Sequence, residues 1–430
     1  MKKLLSILLT LVFLFSCSSP DNVIKQGPLA DATPESQGMS SERLARIDTM
    51  LSEAVAEGDI PGAVALVARN GRIVYHKAFG LAENETGRQM KTDDIFRIAS
   101  MTKAVTATAV MILWEEGKFN LDDPISRFIP EFENTGILKS FNPKDSSFTT
   151  EPAKNKITIR HLLTHTSGVG YGFIDGDERF RMIYQKAGII DAFTTDKITV
   201  EENIKKLGRL PIHHNPGEKF TYGEGLDILG YLIEIVSGMP FDKFLKTRLF
   251  EPLGMNDTWF YLPEEKAPRL VPVQEPKDGS WTRFKSSQFD PDYPVKGAKS
   301  YFAGGAGLSS TAKDYATFLQ MYLNGGEYNG KRILSRTTIQ AIMGNQFYGV
   351  WGEDAESYNG LVFGVLTERG AEKGGRGSAG TFNWGGYFNT SYFADPVEQT
   401  VGVIMKQTLN QKTDETEWKF KMFVGQSVVD

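Results

Sequence analysis

The sequence predicts an α+β fold, an α/β sandwich. An antiparallel sheet of about five strands is flanked by N- and C-terminal helices and carries an inserted, mostly helical region. Three observations predict it. Two β-rich runs, Gly62 to Arg69 and Arg72 to Phe79, are joined by Asn70-Gly71, the strongest short hairpin signal. Three more runs of strand character, Thr381 to Tyr387, Thr390 to Asp395 and Thr400 to Gln407, lie near the other end of the chain. Between the two groups the chain reads as helices separated by long polar loops, so the sheet must draw on both chain ends.

In order along the 430 residues, Met1-Lys2-Lys3 and the apolar run Leu4 to Phe15 come first. A short positive region before an apolar stretch too short to span a membrane is the pattern of a secretory signal. The stretch ends in Leu14-Phe15-Ser16-Cys17, which resembles a bacterial lipoprotein cleavage box, with Phe15 where a small residue is more usual. The resemblance implies a signal peptide over 1–17 and lipidation of Cys17. The protein would then be exported and lipid-anchored in the bacterial cell envelope, on a periplasmic or surface face, and would touch the membrane only through that lipid. The alternative is an unmodified secreted protein. Cys17 is the single cysteine, so the folded part must be held by its core and not by disulfides. Residues 18–40, polar with several Pro and Gly, read as a flexible tether. Residues 41–430 read as one domain, with an α/β part over about 41–95 and 300–430 and a helical part over about 96–299.

Leu44, Ile47, Met50, Leu51, Ala54 and Val55 recur at helical spacing and make an amphipathic helix before the hairpin. Helical runs follow from Ile159 to Gly168, from Asp227 to Val236 and from Ala312 to Asn324, with polar loops over Glu131 to Lys156 and Pro263 to Lys299. A last helix is expected from about Thr413 to Val428. A net charge of −5 and a pI near 5.8 give no basic excess, so a nucleic-acid partner lacks its electrostatic footprint.

The chemistry concentrates at Ser100. Phe96 to Lys103 runs into Ala104 to Trp114, which is apolar on almost every side and so belongs to an interior helix, with Gly117 placed to cap it. Ser100 then falls in the first turn, and Lys103, three residues on, shares its face. First-turn N–H groups lack partners within the helix and carry the positive end of its dipole, so an oxyanion at Ser100 meets donors already in place. Desolvation can lower a lysine pKa enough for the neutral amine to accept the serine proton. The same four residues also arise as an N-capping serine followed by a solvated lysine. His161 and His165 have helical metal-ligand spacing but no glutamate between them and no third ligand, so they read as structural and no metal is expected. His213-His214, before Asn215-Pro216-Gly217, read as loop packing. Ala303 to Ser309 is rich in glycine without the Lys-Ser or Lys-Thr of a phosphate loop, and reads as a tight turn. No Gly-x-Ser-x-Gly elbow occurs.

Phe96 to Lys103, Glu115-Glu116-Gly117-Lys118, Leu121 to Ile125, Ile159 to Gly168, Pro216 to Tyr222, Asp227 to Gly230 and Gly304 to Ser310 together resemble the serine β-lactamase and penicillin-binding group of class C type. The resemblance covers about Ser41 to Gln407. It implies a β-lactamase/transpeptidase-like fold, with Ser100 as nucleophile, Lys103 helping to deprotonate it, and Tyr222 as general base and later proton donor to the leaving group. Trp384-Gly385-Gly386 falls at the family's third motif, on a strand bordering the cleft. The Tyr387 N–H would join that of Ser100 as the oxyanion hole. Two departures bear on the substrate. Glu224 stands where β-lactamases and transpeptidases of this group place Asn, and an ionised glutamate there would repel an anionic substrate. Trp384 stands where they place Lys or His, and an indole offers no contact to a substrate carboxylate; Lys373 or Arg376 could restore that charge. Glu224, Trp384, Gly385 and Gly386 are thus expected to bind substrate. The Trp-Gly-Gly form is similar to that of the family VIII carboxylesterases. The resemblance implies an exported serine hydrolase cleaving carboxylic esters through an acyl-enzyme, without metal or cofactor. Its alternatives are a β-lactamase or D-amino-acid peptidase acting on amides, and a non-catalytic receptor for peptidoglycan fragments.

Overall fold

The computed structural model describes residues 27–352 and 354–430. The signal segment and Cys17 lie outside the described residues. The fold is a nine-stranded sheet: β1 (Ala30–Asp31), β2 (Gly62–Arg69), β3 (Arg72–Glu83), β4 (Arg88–Gln89), β5 (Ser357–Asn359), β6 (Gly364–Leu366), β7 (Phe382–Gly386), β8 (Thr390–Asp395) and β9 (Thr400–Met405). Its order is β1-β3-β2-β9-β8-β7-β6-β5, with β4 paired to β3. Both chain ends build it, and β2 meets β9 antiparallel from Arg69↔Thr400 to Val64↔Met405.

The count of about five strands is too low. The extra strands are two or three residues long, too short for a period of two to show in the sequence. The parallel β1 pairs through Ala30↔Arg72 and Asp31↔Ile73. Residues 30–40 are therefore docked, where a flexible tether through Ser40 was expected: Met39 is fully buried and bridges Val428. The inserted region is also less helical than its composition suggests. The loop over 131–156 holds a hairpin, Gly136–Asn142 with Ser147–Pro152, and that over 263–299 holds another, Gln274–Lys277 with Ser280–Arg283. The first of these is largely exposed, so its strands show no clean apolar alternation.

Every residue of β2 is buried, because both faces of the sheet are covered. Ala63, Ala65 and Val67 face α1 (Ser41–Ala56) and the C-terminal helix Thr416–Gln426, together with Leu44, Ile47, Leu51, Phe420 and Val424. Val64, Leu66 and Ala68 face the larger core with α2 (Thr102–Glu115) and the helix Ala312–Leu323. α2 is buried from Thr102 to Leu113, as a helix without a polar stripe must be, and Gly117 follows it with φ 69°.

Beyond β9, Lys406 is 1% exposed and forms an ion pair with Asp414 while donating to Thr416 Oγ1 at 2.8 Å. Burial alone would raise the Asp414 carboxyl, but the Lys406 charge and hydrogen bond, with those from Thr416, outweigh it and hold it below the usual carboxylate range. Lys406→Met, which leaves Asp414 buried without its counter-charge, should lower the stability measured by urea unfolding at neutral pH by about 3–5 kcal/mol. The contribution is present above the unfolded carboxylate value of about 3.9 and is lost as pH falls through the lower folded value. Wild type and variant should therefore converge in acid.

Candidate active site

Ser100 sits in a 3₁₀ turn, Ala99–Met101, that runs directly into α2. Ala99 takes φ 41°, a left-handed conformation that costs a non-glycine residue free energy and is held only by what surrounds it. The surroundings are specific. Ile98 N–H donates to Leu308 O at 3.0 Å, Leu308 N–H to Thr102 Oγ1 at 3.1 Å, and Tyr315 OH to Met101 O at 2.9 Å. Just upstream, Gln407 reads the Arg97 backbone like a strand partner, its Oε1 accepting from Arg97 N–H and its Nε2 donating to Arg97 O, each at 3.0 Å. The fully buried Arg97 guanidinium in turn donates to Val271 O at 2.7 Å.

Lys103 is 1% exposed. Its Nζ donates to Ser100 Oγ at 3.2 Å and to Gly305 O at 2.7 Å, and lies 4.6 Å from the Tyr222 ring centroid and 5.4 Å from that of Tyr171. Tyr222, arriving from a loop more than a hundred residues away, donates its hydroxyl to Ser100 Oγ at 2.8 Å. Serine, lysine and tyrosine thus share one point. Gly304 and Gly305, read from sequence as a tight turn, contribute carbonyls to it: Gly304 O accepts from Thr106 Oγ1 at 2.6 Å and Gly305 O from Lys103. A glycine-rich run gives no hint in sequence of which carbonyls it presents. The turn fits only because it is glycine: a Cβ on Gly305 would stand 2.3 Å from Asp227 Oδ2.

β7 closes the other side. Trp384, Gly385 and Gly386 pair with Tyr392, Ser391 and Thr390, and the half-buried Trp384 ring lies 6.1 Å from that of Tyr222. Gly386 presses on the nucleophile turn so closely that a Cβ there would lie 2.5 Å from Ile98 O. Tyr387 follows directly on that contact. Among the described residues, neither the Tyr387 nor the Ser100 N–H donates to a turn or loop acceptor. Tyr387 is 42% exposed, and its ring meets that of Phe173 edge to face at 6.3 Å.

Two expectations about charge change. Glu224 is fully buried at the N-cap of the helix Gly225–Ser237, where a surface contact with substrate was expected. Burial first, then Asp227 and Asp191, push its carboxyl well above the usual range, so it is neutral and repels nothing. Lys373 and Arg376 both form ion pairs with Glu356, which draws the two side chains to that carboxylate.

The histidines do not converge on a metal. His161 Nδ1 accepts from Thr158 N–H within a capping box. His165 lies past the helix Ile159–Leu163, at φ 55°, against the Tyr222 ring at 4.6 Å. Burial, then the charge of Lys103, lowers its imidazole well below the usual value, so it stays neutral. His213 Nε2 lies 2.9 Å from Asp175, and His214 Nε2 lies 2.7 Å from Thr221 Oγ1.

The Beta-lactamase family model matches residues 47–426. Esterase EstB of Burkholderia gladioli is 33% identical over 374 residues, covering 82% of this chain and 87% of that protein. A putative D-alanyl-D-alanine carboxypeptidase of Escherichia coli K12 is 27% identical over 416 residues, covering 91% of this chain and 87% of its own length. The solved structure of EstCE1, described as a hydrolase with promiscuous acyltransferase activity, superimposes with a TM-score of 0.75 at 25% identity, over 90% of this chain and 99% of that one. The chain is a serine hydrolase of the Beta-lactamase family.

Proposed function

We propose that the protein is an exported carboxylesterase that forms an acyl-enzyme on Ser100. The observation that carries this reading is the convergence of Lys103 Nζ and Tyr222 OH on Ser100 Oγ at 3.2 and 2.8 Å. In the reactive state Tyr222 is the phenolate, stabilised by the Lys103 charge beside its ring, and takes the Ser100 proton as Oγ bonds to the ester carbonyl carbon. The carbonyl oxygen collects the charge and accepts from the Ser100 and Tyr387 N–H groups. As the C–O bond to the alcohol breaks, Tyr222 returns the proton to the leaving oxygen. Water then repeats the sequence on the acyl-enzyme, and Ser100 is restored.

A neutral ester suits this cleft better than an anionic β-lactam. Trp384 offers no charge, and Lys373 and Arg376 pair with Glu356. EstB and EstCE1 are named as an esterase and a hydrolase, which supports the same choice. The second reading, a D-amino-acid peptidase or β-lactamase, is favoured by the E. coli relative. Export, with a lipid on Cys17, is supported by the sequence of residues 1–17. Among the described residues no helix is long and apolar enough to cross a membrane.

Ser100→Ala should lower kcat for a short-chain p-nitrophenyl ester by about 10⁴-fold or more, and retained turnover would refute the assignment. Gly386→Ala, which must displace β7 from the Ile98 carbonyl, should cost about 100-fold in kcat. Labelling of Ser100 by a fluorophosphonate should survive this change at a reduced rate. A chromogenic cephalosporin should be turned over far more slowly than the p-nitrophenyl ester; the reverse order would favour the peptidase and β-lactamase reading.

A further inference from the structure

The mechanism above leaves two fully buried acids on one helix unexplained, Glu224 and Asp227. Lys103 is buried as well, and its hydrogen-bond acceptors, Ser100 Oγ and Gly305 O, are both neutral. A buried ammonium needs a compensating charge. The carboxylate linked to it is one peptide away: Gly305 N–H donates to Asp227 Oδ1 at 3.0 Å, and the same glycine's carbonyl accepts from Lys103 at 2.7 Å. Asp227 Oδ2 and both oxygens of Glu224 are reached by no N–H or O–H among the described residues. Carboxyl oxygens gathered in this way coexist only if a proton lies between them.

The surrounding groups decide which acid holds it. Lys103 faces the pair from α2, Tyr171 and Asp191 from loops, Tyr184 from the helix Glu178–Ala187 and Tyr301 from the segment before the glycine turn. Burial holds these three tyrosines well above their usual value, so they stay protonated. Asp191 accepts from Gly172 and Phe173 N–H at 2.8 and 2.7 Å and also lies against the Glu224 carboxyl. Burial raises Asp227 too, but the Gly305 N–H and Lys103 oppose it, whereas the neighbours that act on Glu224 after burial, Asp227 and Asp191, both raise it further.

Building on the assignment of Ser100, Lys103 and Tyr222, we propose that Asp227 is a positioning residue for the reaction: its carboxylate balances the buried Lys103 ammonium through the Gly305 peptide, while Glu224 holds the proton between the two acids. Asp227 touches no substrate. It keeps Lys103 charged and aimed at Ser100 and Tyr222.

The test is Asp227→Asn in the full chain, which keeps the size and the acceptor for Gly305 N–H but removes the charge. Ester turnover should fall about tenfold or more in kcat with KM within about threefold, and the alkaline limb of kcat/KM should move down by about one pH unit or more, as loss of a nearby opposite charge requires. A second measurement does not depend on activity. Asp227→Asn and Lys103→Met should each lower the melting temperature, and the double variant should melt above what the two losses predict when added. A wild-type pH profile in Asp227→Asn together with additive melting losses would overturn the proposal. If wild-type Ser100 failed to label with a fluorophosphonate, the esterase reading would fall instead, and the melting cycle would still decide whether the two charges are paired.

Discussion

A single amine in a helix with no wet side is the constraint on which the site depends. Because α2 is buried all round, the Lys103 side chain cannot reach solvent and must find its partners inside the protein. Those partners come from the turn before the helix, from the glycine run near residue 305 and from Tyr222, segments far apart in sequence. Each must approach at hydrogen-bond or ring-contact distance, and each is held there by something else: Ala99 in a left-handed conformation, Gly305 against Asp227, Tyr222 against His165. The polar centre is therefore rigid for the same reason that it is buried, a condition under which aligned donors stabilise a developing charge most.

The departures from the β-lactamase pattern act on charge and leave the geometry in place. Trp384 puts an aromatic ring where a cation would meet a carboxylate, and the two nearest cations before it in sequence, Lys373 and Arg376, pair with Glu356. Glu224 removes the side-chain amide expected beside the tyrosine and is instead a buried, neutral acid. What remains around Ser100 is Lys103 and Tyr222, with the Trp384 ring 6.1 Å from that of Tyr222.

Much of this was readable from residues alone, for identifiable reasons. Asn70-Gly71 fixes a hairpin by local conformation, and the all-apolar run after Lys103 requires an interior helix. Ser100, Lys103 and Tyr222 are recognisable as chemistry because their residue types and flanking motifs are distinctive. What stayed hidden depends on partners distant in the chain. β1 is two residues long and exists only because β3 has an open edge to receive it. Asp227 sits inside a motif, but nothing local shows that its oxygen ends against Gly305. Glu224 could be placed near the tyrosine by spacing, while its depth, and hence its charge, is set by Asp191 and Asp227 packed around it. The hairpin over 136–152 escaped notice because its strands are mostly solvated.

The seam between sheet and inserted region runs through the nucleophile turn. Gln407 grips Arg97 from the end of β9, and Gly386 leans on Ile98 from the end of β7, so on the oxyanion pair proposed above one donor would belong to each side. A slight parting along that seam separates Ser100 from the Tyr387 N–H while every strand and helix stays intact. Gentle warming would then silence the enzyme before any spectroscopic sign of melting, and a tightly held acyl group bridging the gap would act as a rivet, making the loaded form more heat-tolerant than the empty one.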